Sequence, residues 1–171
     1  MKDLPDTSLI DDIETILQLI HDDYSDTIAD VEHLISLNQI TYELLWTLFP
    51  PNTCVYRYHD LTEQSQVLVC CSVSYERSQE EGQYAELSCE VITNNGSTFG
   101  LAWDYLKIRF FTGTLNIQDL PAYPLEYHKN KTIISKDVIW RGKKFTKISH
   151  QLFETSRTNT TSVNPMYTRS M

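Results

Sequence analysis

The chain has 171 residues, of which 41% are hydrophobic and 22% are charged, and its formal net charge at pH 7 is −9. This composition is typical of a soluble globular protein with one domain. No apolar run is long enough to span a bilayer, and the acidic N-terminus is unlike a secretory signal. We therefore expect an intracellular protein, cytoplasmic or alternatively nuclear, without a membrane contact.

Two amphipathic helices are predicted at the N-terminus. Apolar side chains recur at three- and four-residue steps over residues 7–24, which is the spacing of one helical stripe. Ser25 is a favourable cap for a second helix that starts just after it. Residues 1–32 contain ten acids and one base, so residues 1–38 are predicted to form an acidic helical segment. We expect these charges to lie on solvated helix faces, with a docking surface for a partner as the alternative.

A short, buried helix is predicted over residues 41–49. Thr41 can cap its start, and its leucines leave little polar surface. Pro50 and Pro51 end it, because proline lacks a backbone N–H and disfavours helical conformation in the residue before it. The chain is therefore expected to pass directly into a first strand.

Strand patterns follow, and they predict an antiparallel sheet of three to four strands. Apolar and polar side chains alternate over residues 53–59, 67–75, 84–91 and 98–111. Asn94, Asn95 and Gly96 tolerate positive φ, which predicts a hairpin between the last two strands at this point.

The last strand pattern changes its parity part of the way along. Two sets of apolar residues alternate there: first Phe99, Leu101, Trp103 and Tyr105, and then Leu106, Ile108 and Phe110. A one-residue slip reverses the buried face of a strand, so we expect a bulge or bend near Asp104 or Tyr105.

A final helix is predicted from Ser135 or Lys136 to about Ile148, with its apolar side packed on the sheet. The composition becomes polar from about Glu154, which predicts a disordered tail over residues 154–171. Helices, then strands, then a helix is the element order of an α+β domain, which we expect to span residues 39–153.

Five segments occur in an order that resembles a known family. They are ITYELLWTLFPPNT, the NNG turn before STFG, IRFFTG, LPAYPLEYH and RGKKF. Over residues 40–150 the chain resembles the domain of unknown function that precedes the AAA+ ATPase module in fungal proteins. The resemblance implies structural roles for Leu45, Trp46, Phe49, Pro51, Gly113 and residues 123–128.

The phosphate-binding motif of an ATPase is absent from the sequence. No G-x-x-x-x-G-K-[ST] occurs, and Gly142 and Lys143 are followed by Lys144 within a helical pattern. The resemblance therefore does not carry ATP hydrolysis to this chain. We expect no enzymatic activity and no cofactor.

Cysteine and histidine spacing favours neither a metal site nor a nucleophile. The chain has four Cys and five His but no C-x-x-C, and Cys70 and Cys71 must point to opposite faces of a strand. No G-x-S-x-G elbow occurs, and the spacing gives no support for pairing Cys89 with His128 or His150. We expect the cysteines to act as small core residues, with an unrecognised hydrolase site as an alternative.

Protein recognition is the function that remains. N-terminal modules of AAA+ machines recruit substrates or adaptors, so the resemblance implies a protein partner, such as an ATPase assembly or its substrate. The sheet edge or the loop over residues 112–128 would carry the contact. Nucleic-acid binding by the basic C-terminal helix is an alternative, which the acidic pI of about 4.9 disfavours. The candidate partner contacts are Tyr123, Pro124, Tyr127, His128, Arg141, Lys143 and Lys144.

Overall fold

The computed structural model describes the backbone of residues 7–95 and 98–160, and the side chains of residues 9–95 and 98–147. Two long helices flank a β-rich centre. In chain order the described elements are α1 (Thr7–Ser36), β1 (Gln39–Thr41), a 3₁₀ helix (Leu45–Leu48), β2 (Thr53–His59), β3 (Gln64–Ser78), β4 (Gly82–Asn94), β5 (Phe99–Arg109), β6 (Thr114–Asn116), a 3₁₀ helix (Ile117–Asp119), β7 (Ala122–Pro124), a 3₁₀ helix (Leu125–Tyr127) and α2 (Lys131–Thr160). None of the helices within these ranges is long and apolar enough to cross a membrane.

The strands form two antiparallel sheets. Five strands pair in the order β5-β4-β3-β2-β7, and β1 pairs with β6 in a separate sheet. The predicted α+β class is confirmed, but the main sheet is larger than the three to four strands predicted. The additional strands β1, β6 and β7 have only three residues each, which is too short for an alternating pattern to reveal.

The core lies between one face of the five-stranded sheet and the segments that carry the small sheet. Leu87 of β4 and Ile108 of β5 contribute from the main sheet. Ile40 of β1, Leu45 and Ile117 pack against them from the other side. All five side chains are buried, and this removal of apolar surface from water is the main stabilising term of the fold.

Helix α1 is continuous, so the prediction of two N-terminal helices is wrong. It runs from Thr7 to Ser36, and Ser25 lies exposed within it. Serine is a good helix cap, but it is also tolerated on an exposed helix face. The three- and four-residue apolar steps continue across Ser25, which is the signal that one helix is present.

The predicted helix over residues 41–49 is also wrong. Strand β1 occupies its start, and only Leu45–Leu48 are helical, in a 3₁₀ turn. The Tyr75 hydroxyl donates to the carbonyl of Tyr42 and accepts from the N–H of Trp46, each at 3.2 Å. A side chain thus satisfies backbone groups that an α-helix would pair internally.

The predicted hairpin of β4 and β5 is confirmed by its pairing. The register runs without a shift from Tyr84 opposite Arg109 to Asn94 opposite Phe99. Gly96, in the predicted turn, lies outside the described residues.

The bulge predicted near Asp104 or Tyr105 is wrong, because the pairing of β5 is regular there. Leu106 faces the core, whereas Tyr105 and the residues of its parity face solvent. Both faces of this strand carry apolar residues. The sequence pattern therefore resembles that of a strand whose buried face changes at a bulge. The register shift in the described part of the main sheet lies in β3, between Cys70 and Ser72.

Helix α2 extends beyond the predicted final helix at both ends. It begins at Lys131 and continues to Thr160, so residues 154–160, where the composition predicts disorder, are helical. Residues 161–171 lie outside the described part of the chain. The helix packs against β3 and the neighbouring 3₁₀ helix, and Ile134 is its buried contact.

Candidate protein-interaction surface

The predicted contacts in the loop come together, and they pack against the sheet. Tyr123 and Pro124 lie in β7 and are buried. The His128 ring stacks on Tyr123, with ring centres 6.1 Å apart, and its centre lies 4.5 Å from that of Tyr56. Tyr127 packs half-buried against the core. Burial raises the pKa of both Tyr123 and Tyr127, as expected for phenols that cover a sheet.

Arg141 anchors α2 to the start of β3. Its guanidinium donates to Oε1 of Gln64 at 2.8 Å and to the carbonyl of Ser65. It also forms an ion pair with Asp137, one turn earlier in the helix, at 3.1 Å. The guanidinium is therefore engaged in contacts within the chain, and the role of Arg141 is to position the helix.

Lys143 and Lys144 are the predicted contacts that stay exposed. The Nζ atom of Lys144 lies 5.2 Å from the ring centre of Trp140. Trp140 is 60% exposed, so this cation–π contact faces solvent. The two lysines therefore present charge outward, whereas the predicted loop contacts cover the sheet.

An apolar surface on β5 is exposed, and none of the predicted contact residues belongs to it. Leu101, Trp103 and Tyr105 alternate with core-facing residues and are 66%, 57% and 54% exposed. Ile92 of β4 lies opposite Leu101 and is 71% exposed. We call these four residues the β5 patch. Neighbouring apolar and aromatic side chains of this kind mark protein contacts.

The β5 patch borders an open sheet edge. Strand β5 has 11 residues, and among the described residues β4 is its one strand partner. The opposite edge strand, β7, has three residues, is buried and ends in Pro124, all of which protect an edge. Strand β5 lacks these protections, and only Lys107 and Arg109 place positive charge at one end of it. Its outer backbone groups therefore lie beside exposed apolar side chains.

The two thiols that face the core are shielded from any substrate by burial. Cys70 and Cys89 lie opposite each other on β3 and β4, and both are fully buried. The hydrogen bond with Cys70, and then burial, raise the pKa of the Cys89 thiol above its usual range. Among the side chains of residues 9–95 and 98–147, no three of His, Cys, Asp or Glu gather to hold a metal ion.

A groove of about 620 Å³ lies between the sheet and α2, and Val138 and Phe145 of α2 line it. Its charged residues include Arg57 and Asp104, which form an ion pair. Arg57 also donates to Oε1 of Gln66 at 2.8 Å. The guanidinium and the carboxylate are thus paired with each other, and neither is aimed at a nucleophile.

Comparison with protein families gives one result. A family model matches residues 30–129, and the family is described as a domain of unknown function (DUF7025). The matched range holds the end of α1 and every described strand, and it stops before α2. Comparison with curated proteins and with solved structures finds no match. Because the match covers more than half of the chain, the protein belongs to the DUF7025 family.

Proposed function

We propose that this chain is a non-catalytic protein-interaction module that binds an extended segment of a partner along β5. The observation that carries the proposal is the β5 patch beside an open strand edge. A strand added along Phe99–Arg109 would gain backbone hydrogen bonds and would place alternate side chains on the patch. The backbone bonds would supply affinity, and the side chains would supply specificity.

The described side chains support the non-catalytic part of the proposal. One hydroxyl does lie near an imidazole, Thr62 Oγ1 at 3.0 Å from Nδ1 of His59, but this pair is exposed at the turn between β2 and β3. Catalysis by a nucleophile needs a base within hydrogen-bond reach. Cys89 is a free, buried thiol in hydrogen-bond contact with Cys70, and His128 packs on Tyr123 and Tyr56. An unrecognised hydrolase would need a different set of residues.

The resemblance over residues 40–150 supports a particular setting for this module. The domain that these residues resemble precedes AAA+ motors in fungal proteins, and by analogy with it we propose a partner in such an ATPase assembly or among its substrates. An intracellular location, in the cytoplasm or the nucleus, is part of the same proposal. The support is an analogy of domain position.

A nucleic-acid partner is the second candidate. Exposed Lys143 and Lys144, with Trp140 beside them, combine cations with an aromatic ring. Such a combination suits phosphates and unstacked bases. Binding of this kind would weaken steeply as the salt concentration rises, whereas strand addition at β5 would change little.

The test is affinity capture of the full chain from its native cells, followed by mass spectrometry. The wild-type chain is compared with Leu101→Lys and Trp103→Lys, which place a charge on the edge strand. Leu61→Lys is the matched control, because Leu61 is 93% exposed in the turn between β2 and β3. We expect one recurring partner that both β5 variants lose and the control retains.

Amide hydrogen exchange gives a second readout on the recovered complex. Exchange within Phe99–Arg109 should slow when the partner is bound, because the outer N–H groups of β5 become paired. Recovery of background proteins alone, or of a partner that both β5 variants retain, would contradict the proposal.

A further inference from the structure

Helix α1 extends away from the core for most of its length. Ile35, near its C-terminal end, packs against the core, and Leu34 is half-buried. Farther from the core, Ile13, Leu17 and Tyr24 are 47%, 60% and 57% exposed. A surface helix in a globular protein buries its apolar side, so α1 carries an apolar side that no described residue covers.

The exposed side chains follow a seven-residue repeat. Taking Ile10 as position a, the a and d positions hold an unbroken three-four pattern to Leu34, with one polar residue, Thr27. Such a repeat is typical of a helix that packs on another helix as a coiled coil. We call the set the α1 stripe: Ile10, Ile13, Leu17, Ile20, Tyr24, Thr27, Val31 and Leu34.

The charges around the stripe have one sign. Helix α1 contains six Asp, two Glu and no Lys or Arg. The e and g positions border the stripe and face the flanks of a packed partner helix. Between Ile10 and Leu34 three of them are acidic, Glu14, Asp23 and Asp30, and the other three are Ile16, His21 and Ile28. A second α1 helix would add eight more carboxylates beside these, and like charges repel. The stripe is therefore a poor match to another copy of itself.

We propose that α1 binds a basic amphipathic helix of a different protein in a two-helix coiled coil. The partner helix would present apolar residues at a and d and Lys or Arg at e and g. The stripe from Ile10 to Leu34 is about 36 Å long at the rise of an α-helix, so the partner needs a helix of roughly seven turns. This inference is independent of strand addition at β5, because it uses no residue of that strand.

The test uses the full chain and synthetic helical peptides of about four heptads. The first peptide has Ile at a, Leu at d and Lys at e and g, and the second has Glu at e and g instead. Each peptide repels itself and is poorly helical alone. We expect the Lys peptide to bind and gain helical circular dichroism, the Glu peptide to stay unbound, and added salt to weaken the binding.

Matched variants locate the site. Leu17→Asp should weaken binding of the Lys peptide by about tenfold or more, because it places a charge in the buried seam. Ser25→Asp adds the same charge on the opposite, polar side of α1 and should leave the affinity within about twofold. Leu101→Lys should bind as wild type, so the result is separable from the strand-addition proposal.

Three outcomes would overturn the inference. The first is that neither peptide binds, and the second is that both bind equally, which would remove the role of charge. The third is that sedimentation shows the full chain self-associating and Leu17→Asp abolishes that association, because a second copy would then occupy the stripe.

Discussion

Leu87 in β4 and Leu17 in α1 are the same residue type in two contrasting settings. Leu87 is fully buried in the core, whereas Leu17 is 60% exposed on the α1 stripe. The sheet region uses its apolar residues for its own stability, and α1 leaves its apolar residues available to another molecule. The contrast separates the part of the chain that maintains the fold from a part suited to recognition.

Replacing these two leucines tests the contrast most severely. Leu87→Ala should lower the free energy of unfolding by about 2–5 kcal/mol, because it leaves a cavity in the core. Leu17→Ala should lower it by less than about 0.5 kcal/mol. Urea denaturation of both variants measures the difference. Equal losses would mean that α1 packs on the domain in solution.

A pair of aspartates sharpens the comparison for charged groups. Asp104 is ion-paired with the half-buried Arg57, whereas Asp22 of α1 accepts a hydrogen bond from the exposed Gln18 at 2.9 Å. Asp104→Asn should lower the free energy of unfolding by about 1.5–3 kcal/mol, because the guanidinium loses its counter-charge. Asp22→Asn should leave the urea midpoint unchanged. An unchanged midpoint for Asp104→Asn would show that the ion pair adds nothing to the fold.

A pair of tyrosines gives the smallest expected effect. Tyr75→Phe removes the hydroxyl that bonds the backbone at Tyr42 and Trp46, and should cost about 1 kcal/mol of unfolding free energy. Tyr24→Phe, on the exposed side of α1, should cost nothing measurable in the same denaturation experiment.

The stability difference between the wild-type chain and Tyr75→Phe should also depend on pH. Burial raises the pKa of Tyr75 above 10.0 in the folded state. The stabilisation that the protonated Tyr75 hydroxyl gives to the folded state is therefore complete below pH 10.0. It is lost as the pH rises through the higher pKa of the folded state. The wild-type chain should lose more stability than Tyr75→Phe between about pH 8 and about pH 11. A parallel decline in the two chains would exclude this coupling.

The long elements of the fold were predictable, because their periodic patterns extend over many residues. Strand β2 and the pairing of β4 with β5 follow from alternation and from the Asn-rich turn. The three-residue strands were not predictable, since their pairing depends on distant partners. Thr41 shows this, because it reads as a helix cap but pairs with Thr114 of β6.

The candidate site was predicted only in part. The alternation in β5 indicates that both faces of the strand are apolar. It does not indicate that the face with Leu106 packs on the core and that the face with Trp103 is exposed. The same holds for the aromatic residues of the loop, because the sequence does not show whether they are exposed or buried. Tyr123, a predicted partner contact, is buried. Exposure is a property of the assembled layers, so it appears only when both sides of the sheet are known.

The short connection after α1 determines how that helix can act on the rest of the molecule. Asn38 adopts φ of 55°, a left-handed conformation that asparagine tolerates, and its N–H donates to the carbonyl of Ile35 at 2.9 Å. Its own carbonyl accepts from the N–H of Ile117 at 2.8 Å. These two hydrogen bonds tie the end of the helix to the segment that follows β6. A partner bound on the α1 stripe would therefore be oriented relative to the sheet by the conformation of this single connection.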